Sequence, residues 1–194
     1  MRVVKKPEER KAEMVAAAAK LFAQQGFVRT SVAEIVSAVD VAKGLFYYYF
    51  TTKDDMVKAV VEGYCSYLGT VAGQIADGEG TGLEKFDRLL GHEAWQQCFT
   101  VPLTADLCLP QHAALYTDMC DRVYAHMGSA LEKMAAQALR ENGGDAQASA
   151  RMVGVGLYGF LMMARRGNMD MKTAREMVYR LLGAGRPQDA ANRA

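Results

Sequence analysis

Lys43, Gly44, Tyr47 and Tyr48 fall within the stretch Ala42–Phe50, whose other members include Phe46, Tyr49 and Phe50. Wound as a helix, the stretch turns Phe46, Tyr49 and Phe50 to one side and Lys43, Gly44, Tyr47 and Tyr48 to the other. The second side is suited to a polyanion. An ammonium supplies charge, and phenolic hydroxyls donate to phosphate oxygens. Aromatic rings touch sugars or thymine methyls, and a glycine lets a neighbouring surface come close. Tyr49 shares its side with Phe46 and is assigned to the packed face. Tyr47 and Tyr48 are assigned to contact with nucleic acid.

Such a face works only if short helices hold it firmly. Ser31 and Glu34 have capping-box spacing, and Val32, Ile35, Val36 and Val39 follow as one apolar stripe. Asp40-Val41 makes the turn into the Ala42–Phe50 helix. Thr52 with Asp55 repeats the capping logic, so a further helix starts near Lys53. Upstream, Pro7 suits the first position of a helix, and Glu8 and Glu9 oppose its dipole. Met14, Val15, Ala18, Leu21 and Phe22 form its inner stripe, and Gly26 ends it. Helix starts this close together define a compact helix-turn-helix.

At this point the chain resembles the tetracycline-repressor (TetR) family of bacterial transcription regulators. The likeness rests on Phe-Ala-Gln-Gln-Gly-Phe ending the first helix and on Thr-Ser-Val-x-x-Ile. It continues through Val-Ala-Lys-Gly-Leu-Phe-Tyr-Tyr-Tyr-Phe and Lys-Asp-Asp-Met, all within about the first sixty residues. The resemblance implies that Thr30, Lys43, Tyr47, Tyr48 and Lys53 contact DNA, with Gly44 and Leu45 against base edges. Two positions depart from the family pattern. Asp40 stands where a turn glycine is common, and Ala42 where a serine usually caps the recognition helix. Asp tolerates the left-handed conformation, so the turn can form. The serine's phosphate contact is not carried over to Ala42.

The 194 residues are 51% hydrophobic and 23% charged, the composition of a globular chain with room for a small module and a larger one. Net charge is +1. Residues 1–60 hold ten Lys/Arg against seven Asp/Glu, and residues 61–194 hold thirteen against fifteen. The amino end is therefore the basic one. No signal peptide is recognisable, and Arg2, Lys5 and Lys6 read as a short basic arm. The uncharged run Met152 to Ala164 is too short to span a bilayer. Cys65, Cys98, Cys108 and Cys120 lack metal or redox spacing and are expected as reduced thiols in a cytoplasmic protein.

The remaining chain reads as further helices. One runs from Lys53 to about Ala76, with Val57, Val60, Val61, Tyr64, Leu68, Val71 and Ile75 inward. Asp77-Gly-Glu-Gly-Thr-Gly82 ends it, and lacks the features of a phosphate-binding loop. Leu83, Phe86, Leu89 and Leu90 begin another helix. After the irregular Thr100–Pro110 stretch, Cys120, Val123, Met127, Leu131, Met134 and Ala138 line the next. Trp95, Phe99, His112, Tyr116 and Met119 offer aromatics, a titratable ring and a thioether that could line a pocket for a largely apolar small molecule. Core filling is the equal alternative. Cys108 and His112 lack a third ligand, so neither metal nor cofactor is expected.

Residues 145–166 are apolar nearly all round, which requires burial on both sides. With the helix Met171–Leu182 they form the expected dimer interface, represented by Met152, Gly156, Phe160, Met163, Val178 and Leu181. The tail after Gly183 is expected to be disordered. The expected protein is all-α, with a DNA-binding domain at 1–52, a regulatory and dimerisation domain at 53–183, and a tail at 184–194. The expected function is homodimeric binding of a palindromic operator in double-stranded DNA, with release by a small ligand and no membrane or enzymatic role. Two alternatives compete with it. One is a helical interaction protein with an architectural helix-turn-helix, and the other is a small cysteine/histidine enzyme.

Overall fold

A computed structural model of the chain describes residues 6–95, 102–143, 156 and 171–182. Every regular element among them is helical. In chain order these are α1 (Pro7–Gln25), α2 (Val32–Ala38), α3 (Lys43–Tyr49), α4 (Lys53–Asp77), α5 (Gly82–Gly91), α6 (Pro102–Leu107), a 3-10 turn (Pro110–His112), α7 (Ala113–Glu141) and α8 (Met171–Leu181). Phe99, Met152, Phe160 and Met163 lie outside the described residues. So do the arm at 1–5, the tail at 184–194, and all of 145–166 except Gly156.

Two compact units divide the chain, one of residues 1–64 and 98–119, the other of 65–97 and 120–194. The partition differs from the expected boundary at 52/53. The start of α4 has an apolar stripe of its own, and its Met56, Val57, Val60 and Val61 are buried. They join the first unit. So does α6, which packs on α1. The all-α expectation holds, while α4 and α7 each contribute to both units.

In the first unit, α1 begins at Pro7 and buries Met14, Ala18 and Phe22, one stripe at helical spacing. Gly26 closes it at φ 81°, and its N–H donates to the Phe22 carbonyl at 2.9 Å. Phe27, Ile35, Val36, Phe46 and Phe50 complete the small core around the helix-turn-helix.

The second unit is held by polar clasps on an apolar core. Thr81 and Glu84 form a capping box at the start of α5. The Gly82 N–H donates to Glu141 at 2.9 Å. Lys85 is buried, and its ammonium donates to the last turn of α4 through the Ala76 carbonyl (3.1 Å) and to Gln137 (2.8 Å). Asp87 on α5 receives Arg175 (2.6 Å) and the Tyr179 hydroxyl (2.7 Å) from α8. Burial, then the bond to Asp87, pushes the Tyr179 phenol up to about 12. Gly69 brings α4 close to α7, where a β-carbon would stand 2.7 Å from the His126 carbonyl oxygen.

Candidate nucleic-acid interface

Local sequence builds this interface one signal at a time. The Ser31 hydroxyl accepts the Glu34 N–H at 3.2 Å, and the Glu34 carboxylate accepts the Ser31 N–H at 2.7 Å. The Ser31 backbone N–H lowers the Glu34 pKa, helped by the Ser31 hydroxyl and the Gln25 amide. The cap is therefore complete above the ordinary carboxylate pKa and fades as pH falls through the lowered one. α2 buries Ile35 and Val36 and ends at Val39. The next residue, Asp40, has φ 51°, the left-handed conformation that the turn requires. Ala42 stands at the cap of α3 with no side-chain bond to offer, as its methyl group dictates.

The helix then presents two unlike faces. Phe46 is 0% exposed and Phe50 4%, with their rings 5.6 Å apart and the Lys11 ammonium 5.7 Å from the Phe50 ring. On the opposite side Lys43 and Gly44 are exposed, Tyr47 is 52% exposed and Tyr48 75%. A β-carbon on Gly44 would meet nothing within 4 Å. Leu45 and Tyr49 are half-buried at the borders, with the Tyr49 ring edge-on to Tyr48 at 4.9 Å. Large aromatics exposed beside a lysine and an open glycine suit contact with a sugar-phosphate surface.

Thr30 and Lys53, both expected to contact DNA, also have partners within the fold. Thr30 is 1% exposed; its hydroxyl donates to the Gly26 carbonyl at 2.7 Å and accepts from Gln25 at 3.2 Å. Its one hydroxyl proton is thereby used inside the fold. The Lys53 ammonium donates to three carbonyls of the loop before α2, those of Phe27 (2.9 Å), Val28 (3.4 Å) and Thr30 (3.3 Å). It also lies 5.8 Å from the Phe27 ring. These contacts fasten that loop to the start of α4. Thr52 and Asp55 cap α4 as their spacing predicts, the Thr52 N–H donating to the carboxylate at 2.9 Å and the Asp55 N–H to the hydroxyl at 3.1 Å.

Asp106 is the member that sequence reasoning missed. From α6 its carboxylate accepts the Val28 N–H at 2.9 Å, across 78 residues of chain. The surrounding Thr100–Pro110 stretch reads as irregular, and no local pattern marks Asp106 as a partner for that loop.

The expected ligand residues are distributed over both units. Trp95 belongs to the second and is buried. His112, Tyr116 and Met119 belong to the first, where the His112 ring packs edge-on against Phe27 at 4.8 Å and Tyr116 is buried. Among the expected dimer residues, Val178 and Leu181 are half-buried on α8. A β-carbon on Gly156 would stand 2.9 Å from the Leu181 Cδ1 of the same chain.

Residues 14–60 match the family described as bacterial regulatory proteins, tetR family. The chain is 29% identical over 116 residues to the HTH-type transcriptional regulator HbdR of Aromatoleum sp. (strain CIB), covering 59% of this chain and 48% of that protein. It is 28% identical over 88 residues to the HTH-type transcriptional repressor KstR2 of Mycobacterium tuberculosis (strain ATCC 25618 / H37Rv), covering 45% and 44%. The chain thus spans about half the length of these curated relatives. Its fold is similar to that of RolR in complex with resorcinol, with a TM-score of 0.68, 18% identity, and coverage of 92% of this chain and 90% of that one. Among the described residues no helix is long and apolar enough to cross a membrane.

Proposed function

We propose that this chain, whose residues 14–60 match the bacterial regulatory proteins of the tetR family, is a DNA-binding transcription regulator of the bacterial cytoplasm, working as a repressor. The observation that carries the reading is the exposed Lys43/Gly44/Tyr47/Tyr48 side of α3 set against its buried Phe46/Phe50 side. In this reading α3 enters the major groove. Lys43 holds a phosphate, Tyr47 and Tyr48 reinforce it through hydroxyl and ring, and Gly44 and Leu45 lie against base edges. Thr30 and Lys53 serve the same end indirectly, by shaping the loop that carries α2.

Two copies of the chain form the working unit, so the operator is roughly palindromic. The apolar Met152, Gly156, Phe160, Met163, Val178 and Leu181 are the proposed dimer residues. A small, largely apolar ligand is proposed to act through Trp95, Phe99, His112, Tyr116 and Met119. The resorcinol complex of the similarly folded RolR supports a ligand of this kind. A ligand that favours the spacing of recognition helices unsuited to DNA releases the operator by population shift.

Lys43→Ala tests the grip on phosphate. Operator affinity is expected to fall, and the slope of log affinity against log salt to lessen by about 0.9 for each phosphate no longer neutralised. A fluorescence titration across salt concentrations reads both. Unchanged affinity with an unchanged slope would remove Lys43 from the interface.

A further inference from the structure

The loop from Gly26 to Thr30 joins α1 to the helix-turn-helix, and its polar groups are gripped from two distant parts of the chain. Val28 is held on both of its peptide groups. Its N–H donates to the Asp106 carboxylate at 2.9 Å, and its carbonyl accepts from the Lys53 ammonium at 3.4 Å. Val28 itself is 47% exposed, so apolar burial does little to fix it. Two residues on, the same lysine takes the Thr30 carbonyl, and one residue back it takes that of Phe27. Asp106 also lies directly over Gly26, where a β-carbon would overlap its Oδ2. A second contact comes from the same region, the His112 ring on Phe27 at 4.8 Å. Consecutive loop residues 26, 27 and 28 are thus each touched by the 106–112 segment.

From this we infer that Asp106 is a positioning residue for DNA binding. Its carboxylate keeps the Gly26–Thr30 backbone in the shape that lets Lys53 gather three carbonyls. Lys53 is the first residue of α4 and follows α3 after a short turn, while Thr30 adjoins the cap of α2. The shape of this loop therefore sets how α2 and α3 stand on the first unit. Any change that draws Asp106 away loosens the platform of the recognition helix without touching the DNA-facing side chains. The inference rests on the DNA-binding reading above.

The test uses the full chain and a duplex enriched by it from a random pool, with three readouts: affinity, its salt slope, and hydrogen exchange at the Val28 amide. Asp106→Ala is expected to lower affinity at least about tenfold, with the salt slope kept, because every phosphate partner remains in place. Exchange at Val28 should quicken. Asp106→Asn retains a carbonyl oxygen that can accept from Val28, and should restore both affinity and slow exchange. Asp106→Ala that is folded and binds as the wild type overturns the inference, as does a gain in affinity, which would mean that the carboxylate only repels phosphate. If the alanine variant fails to fold, the asparagine variant decides. Fast Val28 exchange with full affinity in Asp106→Asn overturns the inference, and slow exchange with full affinity supports it. A wild-type chain that enriches no duplex overturns the DNA-binding reading itself, and the inference with it.

Discussion

Gly44→Leu is expected to fold as well as the parent chain and to bind the operator at least about tenfold more weakly, equivalent to about 1.4 kcal/mol. The two halves of the result have separate causes. Within the fold, the position is open, since a β-carbon there meets nothing within 4 Å. A glycine inside a helix is also about 1 kcal/mol less favourable than a good helix former, so stability should stay level or rise a little. On DNA, the same bulk stands where the recognition helix must come closest to base edges. A urea transition at or above the parent midpoint, together with weakened binding, is the expected pair. Full binding by a folded Gly44→Leu would mean that this side of α3 faces solvent in the complex.

Gly26→Ala is expected to cost about 2–4 kcal/mol of stability, the combined effect of backbone strain and a broken hydrogen bond. Gly26 has φ 81° and ψ 163°, a region that is almost the preserve of glycine. An added methyl would also overlap the Asp106 carboxylate and push it off the Val28 N–H. Denaturant unfolding reads the destabilisation, and hydrogen exchange at Val28 reads the displaced carboxylate. If stability changed by less than about 0.5 kcal/mol, as at ordinary surface sites, the role given to this glycine would be wrong.

The helix-turn-helix was legible because its signals are local. Ser31 with Glu34, Thr52 with Asp55, Pro7 and Gly26 each act within a turn of themselves, and the structure puts caps and ends where they fall. The two faces of α3 follow from helical phase alone. Even the departure at Asp40 was readable, because few residues besides glycine accept the left-handed conformation it adopts. Partnership across long separations was not readable. Lys53 looks from sequence like a phosphate-binding charge, and nothing local marks the bonds its ammonium makes to carbonyls 23 to 26 residues away. Asp106 sits in a stretch without periodicity, and its partner is 78 residues distant. His112 and Trp95 drew attention for their chemistry, but residue type does not say which part of a fold a side chain joins, and they fall in different units.

Photo-crosslinking tests the central claim most directly. A benzoylphenylalanine placed singly at Tyr48, Tyr67 or Tyr124 replaces exposed tyrosines of α3, α4 and α7, which are 75%, 53% and 41% exposed. Irradiated with an enriched duplex, the chain labelled at position 48 should join to DNA, and those labelled at 67 and 124 should not. Crosslinks at 67 or 124 with none at 48 would contradict the account, because the outward side of α3 would then not be the surface that meets the duplex.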